Sequence, residues 1–100
     1  MDIRALTTIA ANRLGIASRE IGYGISKGNF QSIVDDLDAA NSALTKISSQ
    51  LLTTGVRRFE IDAARGDLSR AIELLTPNPF EYSDALHHVN EALRHVKLSR

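Results

Sequence analysis

The stretch FQSIVDDLDAANSALTKISSQLLTT, residues 30–54, decides the fold. Its apolar positions are Ile33, Leu37, Ala40, Leu44, Ile47 and Leu51, with gaps of four, three, four, three and four, and Phe30 and Thr54 extend the line. At about 3.6 residues per turn these side chains form one stripe along an α-helix. Gln31, Asp35, Asp38, Ser42 and Ser49 fall on the opposite, polar face. A stripe of Leu and Ile is stable only when covered, and at heptad spacing the usual cover is another helix.

The same spacing recurs on both sides. Ile3, Thr7, Ala10, Leu14, Ala17 and Ile21 predict a first helix over 2–27, ended by Gly28-Asn29, with Asn29 placed to cap the next helix. Ile61, Ala64, Leu68, Ala71 and Leu75 predict a third over 56–75, after which Pro77 and Pro79 force a break. Asn78-Pro79-Phe80-Glu81 reads as a start signal: an N-cap, a proline suited to the first helical position, and an acid in the first turn. Tyr82, Leu86, Val89, Leu93 and Val96 follow as the fourth seam, with Ala85 and Ala92 beside it.

The second and third seams stay in phase across Gly55, so one continuous middle helix is an alternative. It would put Arg58 and Arg65 on the seam and a glycine in mid-helix, at about 1 kcal/mol. A turn near Gly55 is therefore preferred. The expectation is an all-α fold, an antiparallel up-down-up-down four-helix bundle forming a single domain over 1–100. Three helices with one long middle helix is the alternative.

Composition narrows the function. Twelve basic and twelve acidic residues leave a formal net charge of zero. Phosphate neutralisation drives nucleic-acid affinity, so a neutral chain argues against dedicated binding to nucleic acid or to anionic membranes. No cysteine is present, which removes disulfides, thiolate metal sites and a cysteine nucleophile. No run approaches the roughly 20 apolar residues of a membrane span. Met1-Asp2-Ile3-Arg4-Ala5 does not open a secretory signal, so the expected location is cytoplasmic.

The first helix departs from the pattern. Ala5, Ile9, Ile16 and Tyr23 form a second apolar line well over 100 degrees from Ile3 and Ile21, set apart by Asp2, Arg13 and Glu20. A third face is small: Thr8, Ala11, Gly15, Ser18, Gly22 and Ser26. One reading is a wide buried face on a central helix. The other is a surface for a partner or a second copy, with Ile9, Ile16, Tyr23, Gly15 and Gly22 as its candidate residues.

Other polar clusters have structural readings. His88 and His95 share a face of the fourth helix with Asp84 and Glu91, a set that could hold a metal at helical spacing. The order is not the Glu-x-x-His of di-metal bundles, and spaced pairs (Asp84 with His88, His87 with Glu91, Glu91 with His95) explain it on a solvated face. No metal or cofactor is expected. Asp35, Asp36 and Asp38 suit the start of the second helix through its dipole. Arg57, Arg58, Arg65 and Arg70 interleave with Glu60, Asp62, Asp67 and Glu73, which suits a salt-bridged surface better than a phosphate site. Catalytic signatures are missing, and acids and histidines are not expected to converge on buried faces. The chain is thus expected to be no enzyme but a small protein of adaptor, chaperone or accessory type. It would act by protein–protein interaction or self-association, with a dimer favoured. A nucleic-acid-associated regulator whose basic patch an oligomer builds is the alternative. An enzyme or small-ligand binder comes third.

Overall fold

The computed structural model describes residues 2–51, 56–75 and 82–99. Within them lie four helices: α1 Ile3–Tyr23, α2 Phe30–Gln50, α3 Val56–Leu75 and α4 Ser83–Leu98. Each helix packs on its two neighbours in a closed ring, α1 on α2, α2 on α3, α3 on α4 and α4 on α1, and the diagonal pairs do not meet. This is the four-helix bundle expected from the seams. The long middle helix is excluded, because α2 stops at Gln50 and Leu51 turns to extended backbone. Gly55 lies outside the described residues.

The stripe of α2 becomes the core of the bundle. Ile33, Leu37, Ala40, Leu44 and Ile47 have no exposed surface, while Phe30 and Leu51 are half-buried at its ends. The polar line Gln31, Asp35, Asp38, Ser42 and Ser49 is exposed throughout. Leu14 and Ile21 of α1, Ile61 and Leu68 of α3, and Val89 and Val96 of α4 belong to the same core, all fully buried.

The first helix ends four residues earlier than its glycines suggested. Gly24, not Gly28, takes the positive φ of 111°, and its N–H donates to the Ile21 carbonyl at 3.0 Å. Only glycine enters that region freely. Asn29 then organises the loop instead of capping α2 with its side chain. Its carboxamide oxygen accepts from the Ser26 N–H at 2.7 Å, and its NH₂ donates to the Gly24 carbonyl at 2.9 Å. Ile25, buried in the core, anchors the loop from inside. At the other end of α1, Asp2 accepts from the Arg4 N–H at 3.1 Å and caps the helix.

In α4 the buried line is Ala85, Val89, Ala92 and Val96, and Leu86 and Leu93 are half-buried at its margin. The face is rotated toward the histidines because α4 serves two neighbours, α3 on the histidine side and α1 on the leucine side. The predicted start at Asn78-Pro79 lies outside the described residues. Within them, the helix begins at Ser83.

The acidic run of α2 has a different role from the one expected. No acid lies in the first turn of the helix. Asp36 is buried and accepts from Arg13 Nη1 of α1 at 2.8 Å, so it ties two helices together instead of countering a dipole. Arg58, Arg65 and Arg70 of α3 are engaged as a salt-bridged surface. Arg58 donates to the Leu51 carbonyl at 2.7 Å and lies 3.6 Å from Asp62, and Arg70 lies 3.3 Å from Glu73. Arg65 reaches Ser48 Oγ of α2 at 3.3 Å.

Candidate functional site

The outer face of α1 is built by the same periodicity that buries its inner face. Leu6, Ala10, Leu14, Ala17 and Ile21 occupy the core, together with Thr7, whose hydroxyl donates to the Ile3 carbonyl at 2.8 Å. The second apolar line runs along the other side. Ala5 is exposed, Ile16 is half-buried, and Tyr23 is 89% exposed. Ile9 is half-buried and packs against the core. The line is thus free at its ends and partly covered in its middle. Beside it, Glu20 holds one carboxylate oxygen buried without a hydrogen-bond partner.

The small face divides. Ala11 is buried, and Ser18 Oγ donates to Asn90 Oδ1 of α4 at 2.5 Å, so this part seats α1 on α4 as a wide buried face would. Gly15 and Gly22 behave otherwise. A Cβ placed on either one meets nothing within 4 Å. No close approach among the described residues therefore requires a glycine at these two positions, although each weakens the helix by roughly 0.5–1 kcal/mol relative to alanine. Gly15→Ala and Gly22→Ala are expected to raise the unfolding free energy of the monomer by about that amount each, measured by thermal or urea unfolding. A loss of stability would mean that a neighbour needs the space.

His88 and His95 occupy a half-buried interface, not a solvated face, while His87 is exposed. His88 Nδ1 lies 2.8 Å from Asp67 Oδ1, and His95 Nδ1 is in short hydrogen-bond contact with Glu60 Oε2. His95 Nε2 also approaches Asp67 Oδ2, at 3.8 Å. All four side chains are less than a third exposed. An ionised carboxylate only accepts hydrogen bonds, so at these distances the proton sits on Nδ1 of each ring. Glu60 and Asp67 are seven apart on α3, as His88 and His95 are on α4, and the two rungs share one antiparallel register. These interhelical rungs replace the expected pairs within α4. Glu91 bonds Arg94 at 2.7 Å instead, and that hydrogen bond is the main cause holding its half-buried carboxyl below the ordinary glutamate range. The signal was present in the sequence as matching seven-residue spacings on two helices, which a search within one helix does not find.

The rungs fix the pairing of α3 with α4, as charged flanking positions do in coiled coils. The same register sets Ala64 and Ala71 opposite Ala92 and Ala85, all four without exposed surface. Small side chains there let the two helices approach closely. Among the described residues, no three His, Asp or Glu side chains converge in a way that could hold a metal ion. Among the described residues, no helix is long and apolar enough to cross a membrane. No protein-family model, curated protein or solved structure matches the chain.

Proposed function

We propose that the protein works by self-association, with the outer face of α1 against the same face of a second copy. Gly15 and Gly22 carry this reading: two glycines of α1 that no contact among the described residues calls for, beside an apolar line whose Ile16 and Tyr23 the core does not absorb. Small residues at spacings of three and four let two helices approach closely, and a two-fold pair would bury Ile16 on both copies at once. A dimeric helical protein of this kind acts as an adaptor, chaperone or accessory subunit, with no chemistry of its own. For the nucleic-acid alternative, Arg58, Arg65 and Arg70 are already engaged within the chain, which takes three of the four α3 arginines out of a phosphate-binding patch. The experiment is Ile16→Glu, followed by light scattering and circular dichroism. The variant is expected to remain helical and to scatter with half the mass of the parent. Equal masses for the two chains would remove the proposal.

A further inference from the structure

Arg13 of α1 is engaged within the chain, donating to Asp36 across the α1–α2 interface. Glu20 stands two turns further along the same flank of the helix. Its carboxylate has one oxygen buried, and it has no hydrogen-bond or ion-pair partner among the described residues. A carboxylate without a donor is costly wherever water is excluded. Next to it in sequence, Arg19 is exposed and also in no ion pair among the described residues. The two do not satisfy each other, because consecutive residues on a helix do not face one another. They lie on opposite sides of the Ile9, Ile16 and Tyr23 line. Glu20 is on the flank toward α2, and Arg19 is on the flank of Gly15 and Gly22.

We propose that the paired α1 helices of two copies run parallel, with Arg19 of each copy donating to the Glu20 carboxylate of the other. The inference rests on the pairing through Ile16 and adds its direction and its polar contact. In a parallel pair with a two-fold axis along the helices, opposite flanks meet. In an antiparallel pair, each flank meets its own counterpart. Parallel alignment therefore brings Arg19 to the second copy's Glu20 twice over, at nearly the same height. It also sets the flank of Gly15 against the flank of Glu20, where the open space at the glycine leaves room for the carboxylate. Ile16 then meets Ile16, and Tyr23 meets Tyr23. Antiparallel alignment sets acid beside acid and arginine beside arginine, and leaves both without a partner. Because donor and acceptor stand on one face of one helix, a second copy supplies both complements.

Direction is read with Tyr23→Cys, since the chain has no cysteine and Tyr23 is exposed at the end of α1. Parallel pairing brings the two introduced thiols within disulfide reach, which needs Cα atoms within about 7 Å. Antiparallel pairing about Ile16 holds them roughly 20 Å apart, at about 1.5 Å of rise per residue. Under mild oxidation Tyr23→Cys is expected to become a covalent dimer, and the same substitution combined with Ile16→Glu is expected to stay largely uncoupled. The polar contact is read from the dimer dissociation constant by sedimentation, with circular dichroism to check the fold. Arg19→Glu and Glu20→Arg should each raise it about tenfold, since two ion pairs are lost. The double variant should return to within about threefold of the parent, because the pairs are restored with their signs exchanged. If Ile16→Glu breaks the dimer but the Tyr23→Cys thiols couple no faster than in the Ile16→Glu background, the parallel direction is overturned and the α1 pairing stands. A double variant no tighter than the single ones would overturn the Arg19–Glu20 contact. If Glu20→Arg does not fold, the cross-link decides alone. A parent that stays a monomer would remove the pairing and this inference together.

Discussion

Leu44→Ala is expected to lower the unfolding free energy by about 3 kcal/mol, while Ile16→Ala lowers it by less than about 1 kcal/mol, both measured by urea unfolding. Leu44 stands at the centre of the α2 stripe with no exposed surface. Truncating it removes the transfer energy of the buried methyl and methylene groups and leaves a cavity that the surrounding leucines and isoleucines fill only in part. Domains of this size hold about 5–15 kcal/mol in total, so the loss lowers the melting temperature by many degrees. Ile16 lies on the outer face of α1 and is only half-buried, so its truncation opens no cavity in the core. Equal costs at the two positions would mean that the outer line of α1 belongs to the core.

Arg13→Ala is expected to cost more than Asp36→Ala, about 2 kcal/mol against about 1 kcal/mol. The pair is lopsided: the Asp36 side chain is 8% exposed, and that of Arg13 is 50% exposed. Without Arg13, a carboxylate is left in the α1–α2 interface with no partner. Without Asp36, the guanidinium turns into water at little expense. A double-mutant cycle on the two positions measures their coupling. A larger cost for Asp36→Ala would show that packing of the aspartate, and not the desolvation of an unpaired charge, governs this contact.

Local periodicity made the bundle readable, and contacts between helices marked where that reading stopped. The α2 stripe depends only on spacing within one helix, so its start at Phe30 and its buried face could be placed from their own order, although the helix, which the seam carries to about Thr53, stops at Gln50. The end of α1 could not. Gly22, Gly24 and Gly28 are equivalent by any local rule, and what selects Gly24 is the burial of Ile25 and the hydrogen bonds of Asn29, both made after the turn. The α4 histidines were assigned to solvent because their nearest acids in sequence lie on the same helix. Their actual partners, Glu60 and Asp67, are 35 and 21 residues away.

The candidate face of α1 was legible as a second apolar line, since Ile9, Ile16 and Tyr23 stand apart from the core seam in any helical projection. Its interior could not be read in the same way. Whether Ala11 and Ser18 rest on α4, and whether Gly15 and Gly22 make room for a neighbour, depends on distances between helices that sequence spacing does not contain. Those distances gave opposite results for the two halves of the small face, with Ser18 bonded to α4 and both glycines open.

Sedimentation equilibrium of the unaltered chain in about 0.5 M NaCl tests the α1 pairing most directly, because contacts between exposed charges are screened there while apolar contacts persist. As concentration rises, the mass is expected to climb from the 10.9 kDa of one chain to a plateau at twice that value. A mass that stays at 10.9 kDa up to millimolar concentration would contradict the pairing and leave Ile16, Gly15 and Gly22 without a partner surface.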